Sequence, residues 1–177
     1  MTRRVRMRKN IAVMAVAFIL GVGGIGGTFL HASAAQNRVF VSGATIAQTA
    51  LTYVGKPYTN AGTRPETGFS DLGLVRYTYR LDGIRLHISV SRDAYRRLLM
   101  RGPRVKRSDL QPGDILFFKN TIWDGLSHVG IYVGSGMFVH AEWYNRGVVV
   151  SSFKNDPTDG DYWAMHYKTA TRPWASR

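Results

Sequence analysis

The sequence predicts an α+β fold, with N-terminal helices packed on an antiparallel sheet of about five strands. Up to residue 100 the apolar residues recur at helical spacing, and after Gly102-Pro103 they alternate. Gly134-Ser135-Gly136 is a tight hairpin signal between two of the alternating runs. Helices followed by a strand meander argue against parallel βαβ units and for one α+β domain.

The elements follow in order. After a short lead-in over 35–43, Ser42 to Val54 carries Ile46, Ala47, Ala50, Leu51 and Val54 on one helical face, with Ser42-Gly43 as the start signal. Gly55-Lys56-Pro57-Tyr58 ends that helix, and 59–68, rich in Gly, Thr, Pro and Asn, reads as a loop. Asp71 to Leu81 is a second helix, apolar at Leu72, Leu74, Val75 and Leu81. Ser91 to Met100 is a third, with a Ser cap and Asp93 in its first turn. Pro112-Gly113-Asp114 is a turn launching a strand over Ile115 to Lys119. Further strands are expected at His128 to Val133, Met137 to Trp143, Val148 to Phe153 and Tyr162 to Thr171. The folded domain is therefore placed at 44–173, with a tail over 174–177 and no repeat or low-complexity tract beyond residue 35.

The 177 residues include no cysteine, which excludes disulfides, Cys-ligated zinc, a lipid-modified cysteine and every thiol nucleophile. A hydrophobic share of 45% is enough to build a core. The net charge of +13 points to a polyanionic partner, whether nucleic acid, anionic lipid or wall polymer. The N-terminus chooses among these. Arg3, Arg4, Arg6, Arg8 and Lys9 precede an uncharged run from Ile11 to Leu30, and Ala32-Ser33-Ala34 follows. That layout predicts a secretory signal over 1–34, cleaved before Ala35. An uncleaved anchor through 11–30 is the competing reading, weakened by Gly21, Gly23, Gly24, Gly26 and Gly27. Export makes the cell envelope, periplasmic or extracellular, the expected location and nucleic acid a poor partner.

Five short motifs then occur in one order. They are Gly55-Lys56-Pro57-Tyr58; Gly68-Phe69-Ser70-Asp71-Leu72-Gly73-Leu74-Val75; Leu110-Gln111-Pro112-Gly113-Asp114; Ser127-His128-Val129-Gly130-Ile131-Tyr132-Val133-Gly134; and Phe138-Val139-His140-Ala141. Together they resemble the NlpC family of bacterial cell-wall cysteine peptidases, over roughly residues 44–173. The resemblance implies a papain-like fold. It also implies a Cys nucleophile at the start of the second helix, a His base opening the second main strand, and a polar residue on the next strand that orients the base. By position these are Asp71, His128 and His140, so the nucleophile is absent.

The chemistry of such a site is general. Unpaired N–H groups and the positive end of the macrodipole stabilise an anion at a helix start. A neighbouring imidazole shuttles its proton and is held in one tautomer by a third group. A carboxylate keeps the charge pattern, but its attack on an amide would lead to an anhydride, so the site is expected to be inert as a thiol peptidase. Asp71 also reads simply as a first-turn acid favouring the helix, and a lone strand His as a core residue. Ser70 as substitute nucleophile is disfavoured, because a helix turns about 100° per residue; it reads as the N-cap. Asp71, His128 and His140 would also make a two-His, one-carboxylate metal set, but ligands must converge on one point and the resemblance implies a line. No metal and no other cofactor is expected.

Two departures fall where a stem peptide would lie. The family's x-Trp-Gly-Gly after Pro57-Tyr58 is here Thr59-Asn60-Ala61-Gly62, and bulky Leu72 replaces a small Ser. Tyr58 remains, either as a ligand-binding hydroxyl or as a packing residue. Arg92, Arg96, Arg97, Arg101, Arg104, Lys106 and Arg107 form a basic run, read either as a solvated face or as a contact for anionic wall polymer or lipid. Trp123, Trp143 and Trp163 are expected in the core or groove lining. The resulting expectation is an exported, degenerate member binding peptidoglycan stem peptides, an anionic wall polymer or an envelope protein. The alternative is a residual peptide hydrolase using Asp71, His128 and His140.

Overall fold

Ser42 and Ser70 set the frame, because each caps a helix that packs on the sheet. The computed structural model describes residues 41–144 and 147–175; the expected leader over 1–34 lies outside the described residues. Helix α1, Gly43–Leu51, begins where the Ser42 hydroxyl accepts the Thr45 N–H, and it buries Ile46, Ala47 and Ala50. Two short strands follow, β1 (Thr63–Arg64) and β2 (Gly68–Phe69), paired antiparallel in a segment expected to be loop. Helix α2, Asp71–Leu81, has the expected bounds. Helix α3 is shorter than expected, Ala94–Leu99, and no side chain caps it. The expected Ser91 cap instead bonds Ser89, at 3.0 Å, and Arg97.

The sheet has six strands rather than about five. They are β3 (Arg104–Val105), β4 (Ile115–Lys119), β5 (Leu126–Gly134), β6 (Met137–Glu142), β7 (Gly147–Ser152) and β8 (Tyr167–Thr171). Their order is β3-β8-β4-β5-β6-β7, with every pair antiparallel. The extra member is the two-residue edge strand β3, too short to show alternation in the sequence. The other correction concerns Tyr162 to Thr171, expected as one strand: its first half is helix α4, Tyr162–His166, and only Tyr167–Thr171 is β8.

Alternation along β4 explains the layering. Ile115 and Phe117 join α1, α2 and α3 in the main core, whereas Leu116 and Phe118 point into a second cluster with Phe138, Phe153 and Trp163. Both faces of β4 are thus buried, so its sequence is continuously apolar. Gly73 has a specific steric reason: a Cβ there would run into the Gly62 carbonyl oxygen, so only glycine lets the 59–62 loop lie on the first turn of α2. Asp114, fully buried, receives Arg172 Nε at 2.8 Å on one oxygen and a second guanidinium nitrogen at 2.9 Å on the other. This fork ties the end of β8 to the turn before β4. Among the described residues no helix is long and apolar enough to cross a membrane.

Candidate functional site

The start of α2 is aimed at the opening of β5. Ser70 is its N-cap: the hydroxyl accepts the Gly73 N–H at 3.2 Å and donates to the Gly62 carbonyl at 3.2 Å. That double engagement leaves Ser70 as a cap rather than a nucleophile. Asp71, one residue on, is 6% exposed. Its Oδ1 accepts the Leu72 N–H at 2.7 Å. Its Oδ2 accepts the Tyr95 hydroxyl at 2.8 Å and the Val129 N–H at 3.2 Å, and faces His128 Nδ1 at 3.2 Å.

His128 and His140 complete a line. His128 Nε2 lies 2.9 Å from His140 Nδ1, and His140 Nε2 lies 3.0 Å from the Ser151 hydroxyl. An ionised carboxylate can only accept, so His128 carries a proton on Nδ1. With both rings neutral, His128 Nε2 then accepts from His140 Nδ1–H, and His140 Nε2 accepts from Ser151. Trp163 of α4 packs against both imidazoles, with centroids 5.3 Å from His128 and 4.6 Å from His140. The three residues named from the sequence are therefore brought together in a line, and no group of three metal-ligating side chains converges among the described residues.

Burial raises the Tyr95 hydroxyl well above its ordinary range, and the Asp71 charge adds to this. Tyr95 therefore stays a donor to the carboxylate. Tyr58 is raised first by burial and then by the same carboxylate, which places its ring in the field of Asp71. Tyr58, Asn60, Ala61 and Leu72 all line one groove of about 530 Å³ whose floor holds Asp71 and His128. Trp123 and the exposed Trp143 and Tyr144 form its lips, and Arg92 lies over the Trp123 ring at 4.7 Å. Trp163 is core beneath the histidines, and Trp123 and Trp143 are groove lining. The basic run divides: Arg97 bonds Ser89 at 2.9 Å, Arg101 donates to the His87 carbonyl at 3.0 Å, and Arg107 lies on Phe153 at 4.3 Å.

Tyr95 and Ser151 are the site residues that sequence reasoning missed; Trp163, expected in the core or groove lining, gains a contact with both histidines that the sequence did not indicate. Tyr95 sits at a buried position of α3 and reads as core. Trp163 falls in the segment read as strand. No local pattern marks Ser151.

The carboxylate occupies a helix start and faces one imidazole, which in turn meets a second. Comparison with known proteins gives the family. The NlpC/P60 family model matches residues 55–172. Murein DD-endopeptidase MepH of Escherichia coli (strain K12) is 34% identical over 119 residues, 67% of this chain and 41% of that protein. Gamma-DL-glutamyl hydrolase of Bacillus subtilis (strain 168) is 32% identical over 137 residues, 77% of this chain and 31% of that protein. A crystal structure of an NlpC/P60 family protein from Bacillus cereus ATCC 10987 matches with TM-score 0.62 and 26% identity, over 75% of this chain and 40% of that one. This chain thus spans less than half the length of each. With the motifs, the α+β papain-like architecture and two thirds of the sequence in agreement, the chain belongs to the NlpC/P60 family.

Proposed function

We propose that this protein is a thiol-less NlpC/P60 member that holds peptidoglycan stem peptides in its groove without cleaving them. Asp71 takes the place of the nucleophile, His128 that of the base and His140 that of its orienting partner; Tyr58 contributes a ligand-binding hydroxyl. The observation that supports this most directly is the state of Asp71. Both of its oxygens are engaged, by two backbone N–H groups, the Tyr95 hydroxyl and His128, in a chain that has no cysteine. A carboxylate so compensated is a poor nucleophile, and its acyl product would be an anhydride. The groove itself stays open and aromatic, as a binding site requires. The murein-directed activity of the Escherichia coli relative supplies the ligand class. Residues 1–34 are proposed as the leader that delivers the 44–173 domain to the cell envelope.

The test is incubation of the chain from residue 35 onward with purified peptidoglycan, scoring retention and released muropeptides separately. Retention without release is the expected result, lost when Trp143 and Tyr58 are both changed to Ala. New peptide termini that disappear with Asp71→Asn would replace this reading by a residual hydrolase. No retention would point to a protein partner in the envelope.

A further inference from the structure

A second cleft of about 280 Å³ lies against the second apolar cluster, where Leu110 and Phe153 form part of its lining. Arg107 and Lys154 supply its charge and Ser135 a hydroxyl at the β5–β6 turn. Arg107 is held by stacking: its guanidinium lies 4.3 Å from the Phe153 ring centre and 5.5 Å from that of Tyr167. Stacking covers a face of the guanidinium and leaves its in-plane N–H fork for a ligand. Lys154 is carried on a fixed loop. The Ser152 hydroxyl donates to the Lys154 carbonyl at 2.9 Å, and the Phe153 N–H donates to the Gly136 carbonyl at 3.0 Å.

The nearby acids do not neutralise this pair. Among the described residues no carboxylate lies within ion-pair distance of Arg107 or Lys154. Asp156 is turned to the backbone N–H groups of Ser152, Thr158 and Asp159, and Asp109 accepts the Ser108 hydroxyl. Arg104 and Lys106, both exposed, add positive charge on the adjoining segment.

We propose that this second cleft binds a phosphate group, with Arg107 as the bidentate donor and Lys154 as the point charge. A tetrahedral anion offers one edge to the guanidinium fork and further oxygens to an ammonium and a hydroxyl, whereas a planar carboxylate is filled by the fork alone. The phosphate is that of a wall polymer or of a lipid headgroup, whose chemistry is the same at this site.

Isothermal titration of the full chain with sn-glycerol 3-phosphate is expected to give saturable one-to-one binding. Arg107→Gln combined with Lys154→Gln should weaken it by about tenfold or more, and Arg96→Gln should leave it unchanged. All three side chains are exposed, so folding is not at stake. Phosphatidylglycerol vesicles form the second arm. Co-sedimentation lost in the double variant assigns the phosphate to lipid; glycerol phosphate binding without co-sedimentation assigns it to a soluble or polymeric source. Absence of saturable binding, or equal binding by wild type and double variant, overturns the proposal.

Discussion

The Tyr95 hydroxyl donates to Asp71 Oδ2 at 2.8 Å, across 24 residues of sequence and between two helices. The same oxygen also faces His128 and the Val129 N–H. A buried carboxylate needs several donors to offset its lost hydration, and Tyr95 is the one that comes from outside the start of α2 and the opening of β5.

Removing that donor should therefore cost more than an ordinary hydrogen bond. Tyr95→Phe is expected to lower the unfolding free energy by about 1.5–3 kcal/mol, the range for a bond to a charged group. In an Asp71→Asn background the cost should fall, because the acceptor is then neutral. Urea unfolding of the two single variants and the double variant measures this coupling; additive effects would show that Tyr95 acts through packing alone.

Tyrosine burial also sets the alkaline limit. Tyr79, Tyr95 and Tyr167 are all raised above their ordinary value by burial, Tyr167 to about 12. A raised phenol keeps its proton in the folded protein where the unfolded chain has already lost it. Stability from these groups is complete below pH ~10 and declines as pH rises above it, since the unfolded state then binds fewer protons. Urea midpoints should fall steadily between pH 9.5 and 11.5, with a shallower fall in Tyr95→Phe. A midpoint flat across that window would contradict the burial assigned to these rings.

How much of this was legible depended on whether the information was local. The bounds of α2 lay in one short motif with its Ser70 cap, whereas the line Asp71–His128–His140 was implied by the resemblance that the ordered motifs carry. Tyr95 and Ser151 meet that line only through tertiary contact, so no sequence window held them. The 162–166 segment misled because aromatic residues favour strands. Trp163 alone is buried there, packed on both histidines, and one turn of helix suffices to place it. The pairs β1–β2 and β3–β8 have only two residues per short strand, below the length at which alternation can be seen.

The Arg172–Asp114 fork predicts a large, one-sided loss. Asp114 is completely buried, so Arg172→Met would leave its charge without a cation and, among the described residues, with only the Gln111 N–H as donor, and should destabilise by about 3–5 kcal/mol. Asp114→Asn in the same background should recover part of this by removing the stranded charge. Denaturant titration of the three proteins decides the matter; a loss below about 1 kcal/mol for Arg172→Met would mean the fork is replaced by water.

The last prediction asks whether the environment of Asp71 still activates a nucleophile. In Asp71→Cys the sulfur would take the place of the carboxyl carbon, among the Leu72 and Val129 N–H groups, the Tyr95 hydroxyl and His128 Nδ1 that now meet the two carboxylate oxygens. All of these favour an anion, so the thiolate should appear at a pH below the ~8.5 of free cysteine. Peptide hydrolysis need not return with it. Leu72 and the Asn60-Ala61 pair line the groove, and a substrate must still pass them to reach the sulfur. The expected result is rapid alkylation with little muropeptide release, and greater release when Leu72→Ser is added. Iodoacetamide alkylation rates measured against pH, with and without His128→Ala, separate the contributions. An ordinary thiol profile that is the same in both backgrounds would show that the imidazole and the helix start no longer act on this position.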